Sequence, residues 1–279
     1  MWRIWWSSGW LSPVDSAELG ALARRALEQE VLLTPKPGLV DRRNSGAHRD
    51  MTAETFLRSA AALEPHFVLL ARAGKAQAEL PPAETLPPLR RLGMQAEEEM
   101  LRATGGVNTH KGALFSIGLL CACAGRQTAR RQPLSPETLC ALAAETAAGI
   151  SARELGGSGT NGLRVHASTG ARGVRGEAES GFASVRQYAL PYLRQDDSDR
   201  SRLLALLALM RRVEDTNVLH RAGPEGLRWL QQRAGETLER FSPAALEQLD
   251  EECIRRNISP GGCADLLAIG LFLVQLDRA

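Results

Sequence analysis

Apolar residues recur along most of this chain at the spacing of α-helices. No useful length of it alternates between apolar and polar positions with the period of two that a half-buried strand shows. Alanine and leucine are abundant, whereas the valine, isoleucine and aromatic residues that strands favour are few. The pattern predicts an all-α protein, a single compact domain of about ten helices spanning residues 15–279.

Local signals mark the ends of several predicted helices. Ser135 and Ser242 each precede a proline, as an N-cap precedes the first helical residue, and Gly105 follows a helical stretch as a C-terminal cap would. Pro65 is expected to kink a helix or to start a new one. Residues 203–213 and 263–276 are apolar on every face, which predicts two helices buried at the centre of the molecule.

Polar loops punctuated by glycine and proline separate these helices. Residues 34–51 include Pro35 and Pro37, which exclude a regular helix, and carry charges of both signs. A connection between helices usually needs about two to eight residues, so this loop exceeds what a link requires. Residues 156–176 are predicted to be a glycine-rich loop. Polar loops are most often simply solvated, but the same residue types recur in junctions downstream, so we expect the loops to form one cleft.

Composition limits the classes of partner. The net charge of +2 is too balanced to favour nucleic acid or an anionic membrane surface. Five cysteines without metal-ligand spacing predict reduced core thiols and a cytoplasmic protein. Residues 1–14, with four tryptophans among the first ten, are too short to span a bilayer and are expected to be a disordered extension, to which we assign no function.

Several acidic residues fall where a helical core should be. Glu97 lies within the apolar face of its predicted helix, Asp215 ends a helix that is apolar all round, and Asp265 lies inside another. A buried carboxylate costs several kcal/mol unless a cation or a donor satisfies it, so each could pair with an arginine or cap a helix. Taken with Asp41 and Asp50 in the first loop, they instead predict a carboxylate cluster of the kind that binds Mg²⁺. The predicted metal ligands are Glu97, Asp215 and Asp265, and the candidate catalytic residues are Asp41, Asp50, Glu97 and Asp215.

Basic residues complement these acids in and beside the loops. They are Lys36, Arg42, His48, His110, Lys111, Arg175 and Arg221. Asn108 and Thr109 precede His110 and Lys111 at the entry to a helix, where backbone amides favour an anion. Lysine, arginine and carboxylate-bound Mg²⁺ are the groups that hold a polyphosphate, so we predict a polyphosphate site.

Together these stretches resemble the triphosphoribosyl-dephospho-CoA synthase family. The resemblance covers most of the chain after about residue 30 and rests on residues 34–41, 44, 46–51, 106–112, 173–178, 215–217 and 257–267. It adds Asn44, Asn217, Asn257 and Ser259 to the candidate substrate-binding residues.

The resemblance implies an enzyme that joins ATP to 3′-dephospho-CoA and releases adenine. The product would be the precursor of the prosthetic group on the acyl-carrier subunit of malonate decarboxylase, which overall similarity favours, or of citrate lyase. An acyl-carrier-protein transferase would take it on. The 2′-hydroxyl of dephospho-CoA would attack C1 of the ATP ribose, which requires a base and stabilisation of an oxocarbenium-like charge.

Two other interpretations stay open. Buried acids and basic loops also suit a helical Mg²⁺-dependent nucleotide hydrolase, and the loops alone suit a non-enzymatic ligand-binding or scaffold protein. The products formed from ATP in the presence of dephospho-CoA distinguish all three.

Overall fold

The computed structural model describes residues 14–155 and 161–279. Within them the chain forms thirteen α-helices and no β-strand, so the all-α prediction is confirmed, with more helices than expected. The predicted N-terminal extension lies outside the described residues except for Val14, which is buried. The helices are α1 (Ser16–Leu32), α2 (Ala53–Ala76), α3 (Leu86–Thr104), α4 (Lys111–Ala129), α5 (Pro136–Ala147), α6 (Ile150–Glu154), α7 (Asn161–Thr169), α8 (Gly173–Glu179), α9 (Leu190–Leu193), α10 (Asp199–Arg212), α11 (Thr216–Glu239), α12 (Pro243–Arg255) and α13 (Gly261–Asp277), with a 3₁₀ turn at Pro82–Glu84 and a π-helical turn at Val185–Ala189.

Three helices form the centre of the molecule. Residues 203–210 of α10, 266–274 of α13 and 116–126 of α4 are buried without interruption. The prediction of two central helices is therefore confirmed. The five cysteines are buried and free, also as predicted. In the part of the chain that the structure describes, no helix combines the length and the hydropathy needed to cross a membrane.

The N-terminal half packs around α2, which contacts α1, α3 and α4. This helix runs without interruption through Pro65, so no second helix starts there, contrary to one of the two outcomes expected. Its backbone approaches that of α4 so closely that a Cβ on Gly74 would lie 1.9 Å from the carbonyl oxygen of Ala122. Packing on three sides offsets the hydrogen bond that proline cannot make.

The stretch around the expected glycine-rich loop is more helical than predicted. Residues 156–160 lie outside the described residues, but α7 and α8 occupy most of the stretch from residue 161 to residue 176, so the loop prediction for 161–176 is wrong. α7 packs on α11, and this tertiary contact stabilises a short helix of modest intrinsic propensity. The helix that follows Ser135 ends at Ala147, and Gly149, which has a φ of 73°, separates it from α6.

The long first loop is fixed by two buried carboxylates. Asp41 accepts the backbone N–H groups of Lys36 (2.9 Å), Arg43 (2.7 Å) and Asn44 (3.1 Å). Asp250 of α12 accepts the N–H of Gly38 and the side-chain amide of Asn44, each at 2.9 Å. A loop held in this way presents its remaining side chains at defined positions.

Candidate active site

A cleft with a volume of about 1620 Å³ opens between the first loop, α3, α8 and the start of α11. The N-termini of α4, α11 and α13 all line it, at Lys111, Thr216 and Gly261. Helix N-termini carry unpaired N–H groups and a partial positive charge. The cleft is therefore a place where negative charge is stabilised by backbone alone.

Asp215 satisfies two of these helix ends at once. Its Oδ1 accepts the N–H groups of Asn217 (2.8 Å) and Val218 (3.2 Å) at the start of α11, and its Oδ2 accepts that of Cys263 (2.8 Å) in the first turn of α13. Asp215 is almost fully buried. Burial raises the pKa of its carboxyl group, and the three amides oppose that shift. The residue is thus a shared helix cap.

Asp265 on α13 faces the third helix end. It accepts the N–H of Ala113 in the first turn of α4, where the N-cap residue His110 makes no capping hydrogen bond of its own. A Cβ on Gly112 would lie 2.1 Å from Asp265 Oδ2, so only glycine permits this approach. Unlike Asp215, Asp265 is partly open to the cleft. Burial and the negative charges of Glu30 and Asp215 raise its pKa well above the ordinary value.

Glu30 and Lys36 form a closed ion pair beside these acids. The Lys36 ammonium contacts Glu30 Oε1, and the two residues, Lys36 and Glu30, are 1% and 4% exposed. Glu30 acts electrostatically on Asp265, so Glu30, Asp215 and Asp265 constitute an acid cluster whose internal cation is Lys36. The acid cluster thus holds three carboxyl groups and one cation.

His110 is buried and electrically neutral. The Thr109 hydroxyl donates to Ser59 Oγ (2.8 Å), and Ser59 Oγ is hydrogen-bonded to His110 Nδ1 at 2.7 Å. Burial, followed by the nearby Lys36 charge, lowers the pKa of His110 to about 3. His110 therefore lines the cleft as a neutral imidazole and not as a cation.

More exposed charges line the rim. Lys111 pairs with Glu97 of α3, and both side chains are partly solvated. Arg221 Nε donates to the carbonyl of Asn257 (3.1 Å), and His48 Nε2 lies 2.7 Å from Ser259 Oγ. Burial and the neighbouring Arg221 lower the pKa of His48. The rim therefore offers two cations, Lys111 paired with Glu97 and Arg221 held by Asn257.

A third set of charges bridges the two sides of the cleft. Glu154 of α6 contacts Arg90 of α3 and accepts a hydrogen bond from Arg175 Nε of α8 at 2.9 Å. All three residues line the cleft. One carboxylate thus holds two guanidinium groups and ties α3 to α6 and α8.

Comparison with known proteins identifies the family. Residues 16–279 match the family model CitG, ATP:dephospho-CoA triphosphoribosyl transferase. A Citrobacter koseri protein named as a probable 2-(5''-triphosphoribosyl)-3'-dephosphocoenzyme-A synthase is 46% identical over 271 residues, covering 92% of this chain and 90% of that protein. The chain belongs to this family. It is accordingly an enzyme of the triphosphoribosyl-dephospho-CoA synthase type, as the motifs implied.

A solved structure supports the fold alone. The crystal structure of a candidate triphosphoribosyl-dephospho-CoA synthase from Archaeoglobus fulgidus matches with a TM-score of 0.50 at 17% identity, covering 79% of this chain and 98% of that one. The helical architecture is therefore found in another chain assigned to the same activity.

Most of the predicted site residues of this synthase meet at the cleft. Those that line it are Lys36, His48, Glu97, Asn108, Thr109, His110, Lys111, Arg175, Asp215, Asn217, Arg221, Asn257, Ser259 and Asp265. Asp41, Arg42, Asn44 and Asp50 are not among the lining residues. Asp41 and Asn44 hold the first loop, Arg42 contacts Thr34, and Asp50 is exposed 3.8 Å from His48.

Two expectations about the acids of the synthase need correction. Glu97 is not buried in the core: its side chain is 30% exposed at the cleft, where it pairs with Lys111, because this face of α3 borders the cleft instead of another helix. Asp215 and Asp265 do share a cluster, but with Glu30. Among residues 14–155 and 161–279, no group of three or more His, Cys, Asp or Glu residues is placed to hold a metal ion.

Sequence reasoning missed two acids of the synthase cleft, Glu30 and Glu154, and also Ser59, which bonds to the lining residues Thr109 and His110. Glu30 falls on the buried face of α1 with Leu27 and Val31, so the wheel argument used for Glu97 would have found it. Glu154 and Ser59 gave no such signal, because their partners come from helices distant in sequence.

Proposed function

We propose that this chain transfers the triphosphoribosyl group of ATP to the 2′-hydroxyl of dephospho-CoA, and that the reaction takes place at Asp265. The observation that carries the proposal is the environment of the Asp265 carboxyl group. This carboxyl group is partly open to the cleft, its pKa is raised, and the charges acting on it are those of Glu30 and Asp215, both negative. Such a group is a candidate general base with a stated physical cause.

Asp265 would take the proton of the 2′-hydroxyl as its oxygen bonds to C1 of the ATP ribose. The bond between C1 and the adenine nitrogen breaks, and adenine leaves with the bonding electrons and acquires a proton. Positive charge develops on the ribose in the transition state, while the bond to adenine breaks and the bond to the hydroxyl oxygen forms. The neighbouring carboxyl groups of the acid cluster would stabilise that charge, because groups placed in advance in a water-poor site act without reorganisation.

The triphosphate would lie towards the rim. Lys111 and Arg221 supply positive charge, and Asn108, Asn217 and Ser259 supply neutral donors beside helix N-termini. Mg²⁺ usually binds through one or two carboxylates together with substrate phosphates. Glu97, the partly exposed acid of the predicted metal set at the rim, fits that requirement, and the ion would neutralise phosphate charge.

The product would serve as precursor of the prosthetic group on an acyl-carrier subunit, and we favour that of malonate decarboxylase over that of citrate lyase. A transferase specific for the acyl-carrier protein would consume it. Support for this step is the family resemblance of the motif blocks alone, and supplying the product to each purified apo carrier with its transferase would test it.

Chromatography of the nucleotides tests the reaction directly. Incubating the enzyme with ATP, Mg²⁺ and dephospho-CoA should release adenine only when dephospho-CoA is present. ADP, AMP or phosphate formed without dephospho-CoA would indicate the alternative nucleotide hydrolase, and unchanged ATP would indicate a binding protein.

A further inference from the structure

One face of α3 borders the cleft along most of the helix. The lining residues are Leu86, Leu89, Arg90, Gly93, Met94 and Glu97, which recur at the spacing of a single helical face. The core-facing residues of α3, among them Ala96 and Met100, lie on another side and pack on α2 and α4. On this face Leu89 is buried and Leu86 packs against the core. Arg90 and Glu97 are ion-paired. Gly93 and Met94, which lie between those two charges, are the open part of the face.

This face is apolar between its two charged ends. Glu97 and Lys111 mark the end next to the acid cluster, and Arg90 is neutralised by Glu154 further along. Met94, the most exposed large apolar residue described, is 59% exposed. A Cβ on Gly93 would meet no described atom within 4 Å. Gly93 and Met94, together with the partly buried Leu86 on the other side of Arg90, form a strip that we call the α3 strip.

The bridge through Glu154 makes the α3 strip one wall of a groove. Arg90 on α3 and Arg175 on α8 share that carboxylate, so α8 stands opposite α3. The helical rise of about 1.5 Å per residue gives a length of roughly 16 Å from Leu86 to Glu97. An arm of three linked units, each about as long as an extended residue of roughly 3.5 Å, fits within it.

We propose that the α3 strip binds the pantetheine arm of dephospho-CoA. This inference rests on the proposed function, since it takes dephospho-CoA as the acceptor. The arm is the long, uncharged part of that substrate, and ATP has no equivalent. The strip begins beside Lys111 at the acid cluster, where the acceptor hydroxyl must react, and leads away from it. Its uncharged surface suits the arm and does not suit a triphosphate.

Substitution of Gly93 tests the proposal. Gly93→Leu fills the open space, so it should raise the KM and the Kd for dephospho-CoA about tenfold or more, as expected for lost burial of roughly two methylene groups. The KM for ATP should not change. Stability should rise, because glycine is unfavourable inside a helix. A folding defect would lower stability instead. Gln95→Leu, on the exposed face of the same helix, is the matched control.

Pantetheine alone and ADP serve as binding probes that do not depend on catalysis. Calorimetry should show that pantetheine binds the wild-type enzyme and Gln95→Leu and competes with dephospho-CoA, and that Gly93→Leu loses this binding. ADP, which lacks the arm, should bind both variants equally. Unchanged dephospho-CoA affinity in Gly93→Leu, or a raised KM for ATP, would overturn the proposal. Absence of adenine release by the wild-type enzyme, with pantetheine binding intact, would instead remove the proposed function and leave the arm site standing.

Discussion

At the scale of single residues, the cations of the cleft are not equivalent. Lys36 is closed in a pair with Glu30, whereas Lys111 is half exposed beside Glu97. The sequence places both in polar loops and gives no sign of this difference. Burial decides whether a charge is available to a substrate, and burial depends on partners that are remote in the fold.

Replacing each lysine by methionine should separate the two roles. Lys36→Met leaves Glu30 as an unpaired buried charge and should destabilise the protein by about 3–5 kcal/mol. Lys111→Met breaks an exposed pair and should cost at most about 1 kcal/mol, but should raise the KM for ATP about tenfold to a hundredfold. Urea denaturation and initial rates measure the two effects. Equal stability of the two variants would contradict the assignment.

The neutral state of His110 predicts a pH dependence of stability. Its pKa is about 3 in the folded protein and near 6.5 when solvated, so between these values the unfolded chain binds more protons. Unfolding free energy contributed by His110 is fully present above pH 6.5 and is lost as the pH falls. Between pH 6.5 and pH 5 the loss should be about 1.6 kcal/mol.

Urea titrations of His110→Gln at pH 6.5 and pH 5 measure this contribution. The variant should lack that part of the acid sensitivity, whereas His220→Gln, at an exposed position, should retain it. Identical pH profiles for the wild-type enzyme and His110→Gln would show that His110 is not held neutral.

At the scale of secondary structure elements, the acid cluster depends on where helices begin. Asp215 caps α11 and α13, and Asp265 accepts an N–H at the start of α4. The helices themselves were largely predictable, because α10 and α13 are apolar on every face and Ser135 and Ser242 cap their helices as expected. The convergence of three N-termini was not, since it depends on the packing of elements far apart in sequence.

Asp215→Ala should therefore lower the unfolding free energy of the protein even in the absence of substrates. It leaves three buried N–H groups without acceptors, each worth about 1–3 kcal/mol, offset in part by removal of a buried charge. We expect a net loss of roughly 2–4 kcal/mol in the absence of ligands, measured by thermal or urea denaturation. Asp15→Ala, which removes an exposed cap of α1, should cost only about 1 kcal/mol. A smaller loss for Asp215→Ala than for Asp15→Ala would refute the double cap.

At the scale of the whole molecule, the cleft combines loops, helix ends and one free helix face. The motif blocks predicted the loops and helix entries, and fourteen of the candidate residues line the same cleft. Glu97 was expected in the core but lies at the cleft, and Asp41 was expected in the site but holds the first loop. Periodicity shows that a charged side chain lies on an apolar helix face, but it does not show what that face contacts. Partners such as Glu154 for Arg175 depend on long-range packing that no local pattern encodes.

The central claim is that Asp265 is the base of the transfer reaction, and the turnover of Asp265→Asn tests it most directly. Asparagine cannot accept the hydroxyl proton, so adenine release should fall by about 10²–10⁴-fold, with Glu98→Gln on the exposed face of α3 as the control. The raised pKa means that the folded protein loses stability as the pH rises above the ordinary aspartate range. The variant should therefore be at least as stable as the wild-type enzyme at neutral pH. A stable Asp265→Asn that releases adenine at the wild-type rate would contradict the account.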